Sequence, residues 1–199
     1  MSIVKALLFD FGGVIAEEGF KKGLEEMARR QGQNPQRFFI IARDLIYSTG
    51  YVLGLCDESF YWEALRKESG IKGDDAEWHR EILDRFLVRP SMIHLVQDLR
   101  QMGFFVGILS DQTDWLEELD LKYHFCRHFD QVFNSFRLHK SKQDPSWFIE
   151  ICSVIGFAPQ EVLFIDDNAD NIQRAAAMGL RTIHFRDEGQ FNEELRQTL

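Results

Sequence analysis

The stretch Lys5-Ala6-Leu7-Leu8-Phe9-Asp10-Phe11-Gly12-Gly13-Val14 decides the fold, because an apolar run ends abruptly on a carboxylate at a glycine-containing turn. Val4, Ala6, Leu7, Leu8 and Phe9 read as a strand buried on both faces, as strands of parallel sheets are. Asp10 then stands where the strand emerges, and there α/β sheets bind ligands. Near the other end, Val162-Leu163-Phe164-Ile165 repeats the arrangement and delivers Asp166 and Asp167 side by side. Adjacent carboxylates repel and are tolerated when a cation neutralises them; oxygen ligands suit Mg²⁺ better than a transition metal. One such turn alone reads as a solvated strand-to-helix connection with Asn168 as N-cap. The same turn at the ends of both apolar strands reads as a site.

From about Phe20 to Val88 the spacing is helical: Leu24, Met27 and Ala28, then Phe38, Ile41 and Leu45, then Phe60, Ala64 and Leu65. Gly50, Gly54, Gly70 and Gly73 divide this region into about four helices. Pro90-Ser91 then restarts an alternating pattern, with Ser91 the expected N-cap. Helices are predicted from Met92 to Met102, Asp114 to Leu121, Pro145 to Ile155 and Ala169 to Met178. The intervening strands are predicted from Phe104 to Leu109, Gln131 to Asn134, Val162 to Ile165 and Arg181 to Phe185. Such alternation implies a doubly wound parallel sheet with right-handed crossovers and helices on both faces. The expected organisation is an α/β core from residues 1–16 and 89–199, interrupted by an all-helical domain over 17–88.

The 199 residues, 45% of them apolar, suffice for one well-buried core and a small accessory domain. A formal charge of −9 with dispersed Lys and Arg argues against nucleic acid as partner. Cys56, Cys126 and Cys152 are odd in number and lack a C-x-x-C pair, which suggests neither a disulfide framework nor zinc and fits the reducing cytoplasm. Asp10 interrupts the N-terminal apolar stretch and no run approaches about 18 apolar residues, so neither export nor a membrane is expected.

Two further strand ends carry chemistry. The strand ending at Leu109 is followed by Ser110-Asp111, and the loop after the next strand carries Lys142 ahead of Asp144-Pro145. A nucleophile, a hydroxyl and an ammonium for phosphate oxygens, and carboxylates for a metal are what phosphoryl transfer requires. Parallel strands bring all of them to one sheet edge. Ser110 alone would be an ordinary N-cap and Lys142 alone a solvated lysine; their shared edge makes them candidates. His79, His94, His124, His128 and His184 have no metal-ligand spacing and are assigned no role. Phe38, Phe39, Tyr47, Tyr51, Phe60, Tyr61 and Trp62 mostly read as the core of the helical insertion, with one or two facing the substrate.

The pattern Asp10-Phe11-Gly12-Gly13-Val14, Ser110, Lys142-Gln143-Asp144-Pro145 and Asp166-Asp167-Asn168-Ala169-Asp170-Asn171 resembles the four motifs of the haloacid dehalogenase superfamily, in order and strand context. Within it the likeness is to small bacterial sugar-phosphate phosphatases and to the N-terminal phosphatase domain of soluble epoxide hydrolases. The resemblance implies a Rossmann-like core of strand order 5-4-1-2-3, with residues 17–88 as the helical cap. It implies a Mg²⁺-dependent phosphatase acting on a small phosphorylated metabolite, as monomer or homodimer. Asp10 would be the nucleophile, Ser110 and the Asp111 backbone would bind phosphate, and Lys142 would neutralise Asp10 and the transferring group. Asp10, the Gly12 carbonyl and Asp167 would hold the metal, with Asp166 assisting and Asn171 bracing the loop. Lys140 competes for the lysine role, but the spacing to Asp144-Pro145 favours Lys142.

The chain departs from the pattern in three places. Gly12 stands where most phosphatases of the superfamily carry a second aspartate as general acid and base; Gln143 replaces a usual proline, and His139 a usual glycine. Gly12 keeps two alternatives open, a haloacid dehalogenase and a module that binds a phospho-ligand or protein without catalysis. Against the first stands the Asp166-Asp167 pair, which without a cation would repel an anionic haloacid. Against the second stands the retention of Asp10, Ser110, Lys142 and the acid pair.

Overall fold

In the computed structural model residues 4–199 are described; residues 1–3 of the expected core segment lie outside the described residues. Strand β1 (Ala6–Phe9) leads into the helical insertion, α1 (Gly19–Arg30), α2 (Pro35–Ser48), α3 (Glu58–Ser69) and α4 (Asp75–Leu83). There follow α5 (Pro90–Gln101), β2 (Phe105–Ser110), α6 (Trp115–Tyr123), β3 (Gln131–Asn134), α7 (Ser135–Leu138) and α8 (Ser146–Ile155). The chain closes with β4 (Val162–Asp166), α9 (Ala169–Ala177), β5 (Arg181–His184) and α10 (Glu188–Thr198).

Every residue of β1 is buried, which only a central strand covered on both faces can achieve. It pairs in parallel with β2 and β4, and the sheet order β3-β2-β1-β4-β5 is the expected order read from the opposite edge. Side chains alternate between two cores as the strand period requires. Leu7, Phe9, Ile108 and Ile165 face one core, which continues into the helical insertion. Ala6, Leu8, Leu109 and Phe164 face the other, beneath Trp147 and Phe148 of α8 and Ala175 of α9.

The insertion has the four expected helices, with a 3₁₀ turn at Tyr51–Leu53 after α2. Glu18, Asn34, Asp57 and Asp74 cap their N-termini through side-chain oxygens. Gly50, Gly54 and Gly70 adopt the left-handed conformation at helix ends. Trp62 stacks on Trp115 of α6 and meets Trp78 edge-on, ring centroids 6.0 and 5.4 Å apart, so aromatic packing joins insertion to core. The two linkers between them run side by side: Glu17 N–H bonds the Leu87 carbonyl and Arg89 N–H the Ile15 carbonyl, each at 2.9 Å. Arg89 also donates to the Gly13 and Val14 carbonyls at 2.8 and 2.6 Å, tying the second linker to the turn after β1.

The structure departs from expectation at a few element ends. Helix α5 starts at Pro90 with Arg89 as N-cap, so Ser91 lies inside the first turn; a proline without an N–H suits the first helical position. Ser110 closes β2 instead of following it. Helices α7 and α10 are additional, and α10 buries only Phe191 and Leu195, one i, i+4 pair in a polar segment too sparse to register as periodicity. All three cysteines are free, and no helix among the described residues is long and apolar enough to cross a membrane.

Candidate active site

The sheet's carboxyl edge gathers Asp10, Ser110, Lys142, Asp166 and Asp167. Asp10 N–H bonds the Ile165 carbonyl at 2.8 Å, which holds the residue in line with β1 although the strand has ended. One carboxylate oxygen of Asp10 accepts from Ser110 Oγ at 2.5 Å and from the Phe11 N–H at 2.7 Å. The other lies 2.9 Å from Lys142 Nζ. Lys142 arrives from the loop between α7 and α8, its own N–H anchored at 2.9 Å on Asp111 Oδ1, and its side chain is 1% exposed. Burial alone would lower its pKa, but the charges of Asp10, Asp166 and Asp111 outweigh this and raise it, so the ammonium is held charged. Lys140 points elsewhere, to Ser146 at 2.8 Å and to Glu150.

The adjacent aspartates, equivalent in sequence, are split by the end of β4. Asp166 is fully buried, and its carboxylate accepts from Lys142 Nζ at 2.7 Å, Asn171 Nδ2 at 3.0 Å and the Asn168 N–H at 2.7 Å. Burial pushes its carboxyl upward against the pull of Lys142. Asp167 instead opens onto the cavity, where burial by surrounding protein and then the Asp10 charge push its carboxyl up to about 7. Its backbone is steadied by His184, whose Nε2 donates to the Asp167 carbonyl at 2.9 Å. One carboxylate oxygen each from Asp10, Asp166 and Asp167 lies within 4.8 Å of the others, the spacing of a shared cation. With Lys142 as the ammonium among them, these carboxylates keep excess negative charge, a donor set that suits a hard divalent ion.

Two left-handed backbone positions near the site have a local reason. Gly13 has φ +81°, and a Cβ there would fall 2.2 Å from an Asp167 carboxylate oxygen. His139, at the position of the usual glycine, takes the left-handed conformation, φ 55°, and its Nδ1 donates to the Leu53 carbonyl at 2.7 Å.

A cavity of about 980 Å³ opens over Asp10. Its floor is Asp10, Gly12, Ser110, Asp111, Lys142 and Asp167, and its roof is α1 and α2, which supply Phe20, Lys21, Phe39, Arg43 and Tyr47. Of the aromatics singled out in the insertion, Tyr51, Tyr61, Trp62 and Phe38 are core, Phe39 and Tyr47 face the cavity, and Phe60 is exposed. The Tyr47 hydroxyl donates to Asp111 Oδ2 at 2.9 Å, and burial with the Asp111 charge raises the phenol so that it stays protonated. Burial likewise raises Asp111, against the pull of Lys142.

Two glutamates at the start of the insertion have opposite fates. Glu17 is gripped by Lys22 at 2.6 Å and Arg89 at 3.0 Å, and chiefly the Lys22 bond lowers its pKa. Glu18 lines the cavity, and burial, helped by the Asp10 charge, pushes its carboxyl up to about 7. The sequence singles out Tyr47 only as one of seven insertion aromatics, and Glu18 only beside Glu17 as a substitute proton source for Gly12, because nothing local says which helix face meets the sheet edge. Their one signal is position, Glu18 directly after the turn and Tyr47 on the second helix.

Residues 4–179 match the family model described as haloacid dehalogenase-like hydrolase, and the chain belongs to that family. It is 24% identical to bifunctional epoxide hydrolase 2 of Sus scrofa over 222 residues, which span 98% of this chain and 38% of that protein. The chain thus covers well under half the length of that relative. It is 28% identical over 101 residues to (S)-2-haloacid dehalogenase 4A of Burkholderia cepacia, 50% of this chain and 42% of that one. Among solved structures, a haloacid dehalogenase family enzyme of Bacteroides thetaiotaomicron, in complex with magnesium and inorganic phosphate, superposes with TM-score 0.67 at 20% identity, covering 94% and 98% of the two chains. At that identity the likeness shows the fold.

Proposed function

We propose that this member of the haloacid dehalogenase-like hydrolases is a Mg²⁺-dependent phosphatase of a small phosphorylated metabolite, with residues 17–88 as its cap domain and 1–16 with 89–199 as its core. The observation that carries the reading is the convergence of Asp10, Asp166 and Asp167 within 4.8 Å, because such a cluster is costly without a divalent cation and a haloacid hydrolase has no need of one. The Bacteroides enzyme of like fold, crystallised with magnesium and phosphate, supports it.

Asp10, the Gly12 carbonyl and Asp167 would hold the ion, with Asp166 assisting from below. An ion held there would offset the carboxylate charge and polarise the phosphoryl oxygens. Asp10 is the nucleophile and forms an aspartyl-phosphate. Ser110 Oγ and the Asp111 backbone bind the phosphoryl group, and Lys142, fixed by Asp166, neutralises both Asp10 and the incoming oxygens. Asn171 holds Asp166, and with it Lys142, in position.

Haloacid hydrolysis is the second reading, favoured by Gly12 and by the similarity to the Burkholderia dehalogenase. A release assay over sugar phosphates, nucleotides and phosphorylated acids, with and without Mg²⁺, separates the two. Phosphate released only with Mg²⁺ is expected; metal-free halide release from a 2-haloacid would move the assignment to the dehalogenase.

A further inference from the structure

Cleavage of a phosphomonoester through Asp10 leaves the departing oxygen negatively charged unless a proton reaches it, and Gly12 supplies none. The space beside Gly12 is filled: a Cβ there would lie 3.2 Å from the Phe86 ring and 3.5 Å from the Gln112 carboxamide nitrogen. Neither group gives up a proton near neutral pH. Beyond the acid cluster, the cavity holds the carboxyls of Glu18, Asp44, Asp111 and Asp170. Asp111 is engaged on both oxygens, by the Lys142 N–H and the Tyr47 hydroxyl at 2.9 Å each. Asp44 is 63% exposed and paired with Arg43 at 2.8 Å, and Asp170 is exposed in the first turn of α9. Glu17, the neighbour in sequence, is clamped by Lys22 and Arg89.

Glu18 is the remaining group. It ends the linker that leaves the nucleophile turn and sits at the N-cap of α1, where Oε2 accepts from the Lys21 N–H at 2.7 Å. It thus borders the cavity from the roof side while Asp10 borders it from the floor. We infer that Glu18 is the general acid and base of this enzyme, delivering a proton across the cavity to the leaving group in place of a carboxyl at position 12. The inference rests on the phosphatase reading. Burial opposes ionisation of Glu18, which keeps a proton available.

In the first half-reaction an Asp10 oxygen bonds to phosphorus and the bond from phosphorus to the ester oxygen breaks. Its electron pair stays on that oxygen, which takes the Glu18 proton and leaves as a neutral alcohol. In the second, the Glu18 carboxylate takes a proton from water as the water oxygen bonds to phosphorus. The bond between phosphorus and Asp10 breaks, its electron pair returns to the carboxylate, and inorganic phosphate departs with Glu18 protonated again.

Glu18→Gln keeps an oxygen to cap the Lys21 N–H and removes the transferable proton. With Mg²⁺ and p-nitrophenyl phosphate, whose leaving group needs no proton, E18Q should release a burst of about one equivalent of p-nitrophenolate at the wild-type rate. Steady turnover should then be about 10²- to 10³-fold slower, as the base is missing. With glycerol phosphate the burst itself should vanish and turnover fall by at least as much. Near-wild-type turnover of both substrates, or equal loss of burst and turnover on both, would overturn the role of Glu18. Wild type supplies a second measurement that needs no variant: a phosphorylation rate varying less than about 10-fold from p-nitrophenyl to phenyl to alkyl phosphates supports a proton donor, and a steep fall overturns one. Failure of folded wild type to release phosphate from any ester overturns the phosphatase reading itself.

Discussion

The carboxylate of Asp167 occupies the space where a side chain on Gly13 would begin, 2.2 Å from the Cβ position. The turn after β1 and the turn after β4 are therefore fitted to one another: Gly13 combines a left-handed φ of +81° with the absence of a side chain, and both serve to let Asp167 face Asp10. Gly13→Ala should cost about 1–3 kcal/mol through backbone strain and push Asp167 off the acid cluster. The check is paired: denaturant melts for stability and a Mg²⁺ titration by calorimetry for the site. Unchanged metal affinity in a destabilised variant would detach Gly13 from the site.

Asp10→Asn conserves shape and the Ser110 and Phe11 bonds to one oxygen while removing the charged nucleophile. Turnover should disappear with the melting temperature unchanged or raised, since one charge leaves a cluster of like sign. Asp167→Ala should keep a trace of activity but shift its Mg²⁺ dependence to much higher concentration, because the lost ligand is charged and faces the cavity. Rate measurements across Mg²⁺ concentrations test both.

These residues also mark what was legible in the sequence. Asp10, Ser110, Asp166 and Asp167 could be placed on one edge because each follows or ends an apolar run, and parallel strands share a direction. The split between Asp166 and Asp167 was not legible: it depends on β4 running one residue further than its apolar stretch, which pairs Asp166 with His184 in register. The helices of the insertion could be counted from spacing and glycines, yet not which of their faces roof the cavity. That choice is made by tertiary contacts such as Tyr47 on Asp111 and Trp62 on Trp115, which join residues more than 50 positions apart.

Lys142 is buried between Asp10 and Asp166, at 2.9 and 2.7 Å, and its removal leaves the buried Asp166 carboxylate without a cation. Lys142→Met should therefore destabilise by about 3–5 kcal/mol near neutral pH. In that variant burial raises the Asp166 pKa above its unfolded value unopposed, so the native state binds an extra proton. Stability then falls as pH rises through the raised pKa, and the deficit relative to wild type should shrink between pH 8 and pH 5. Urea melts across that range decide it; a pH-independent deficit would mean packing loss alone.

His79 of α4 sits between two carboxylates, Nδ1 2.9 Å from Glu58 of α3 and Nε2 2.9 Å from Glu118 of α6, so it ties the insertion to the core. The Glu58 hydrogen bond, against some burial, pushes its pKa from 6.5 up to about 9. A raised native pKa means that the folded protein holds this proton where the unfolded chain has lost it. The stabilisation is therefore complete below pH 6.5 and disappears as pH rises through about 9. Because Glu118 is half exposed, solvent screens the pair and the contribution should be about 1 kcal/mol. His79→Gln preserves size without titrating, so wild-type stability should decline more steeply than the variant's across that window, and the two should converge near pH 10. Parallel pH profiles in thermal melts would show that His79 is neutral in the folded protein and that this link between insertion and core carries no charge.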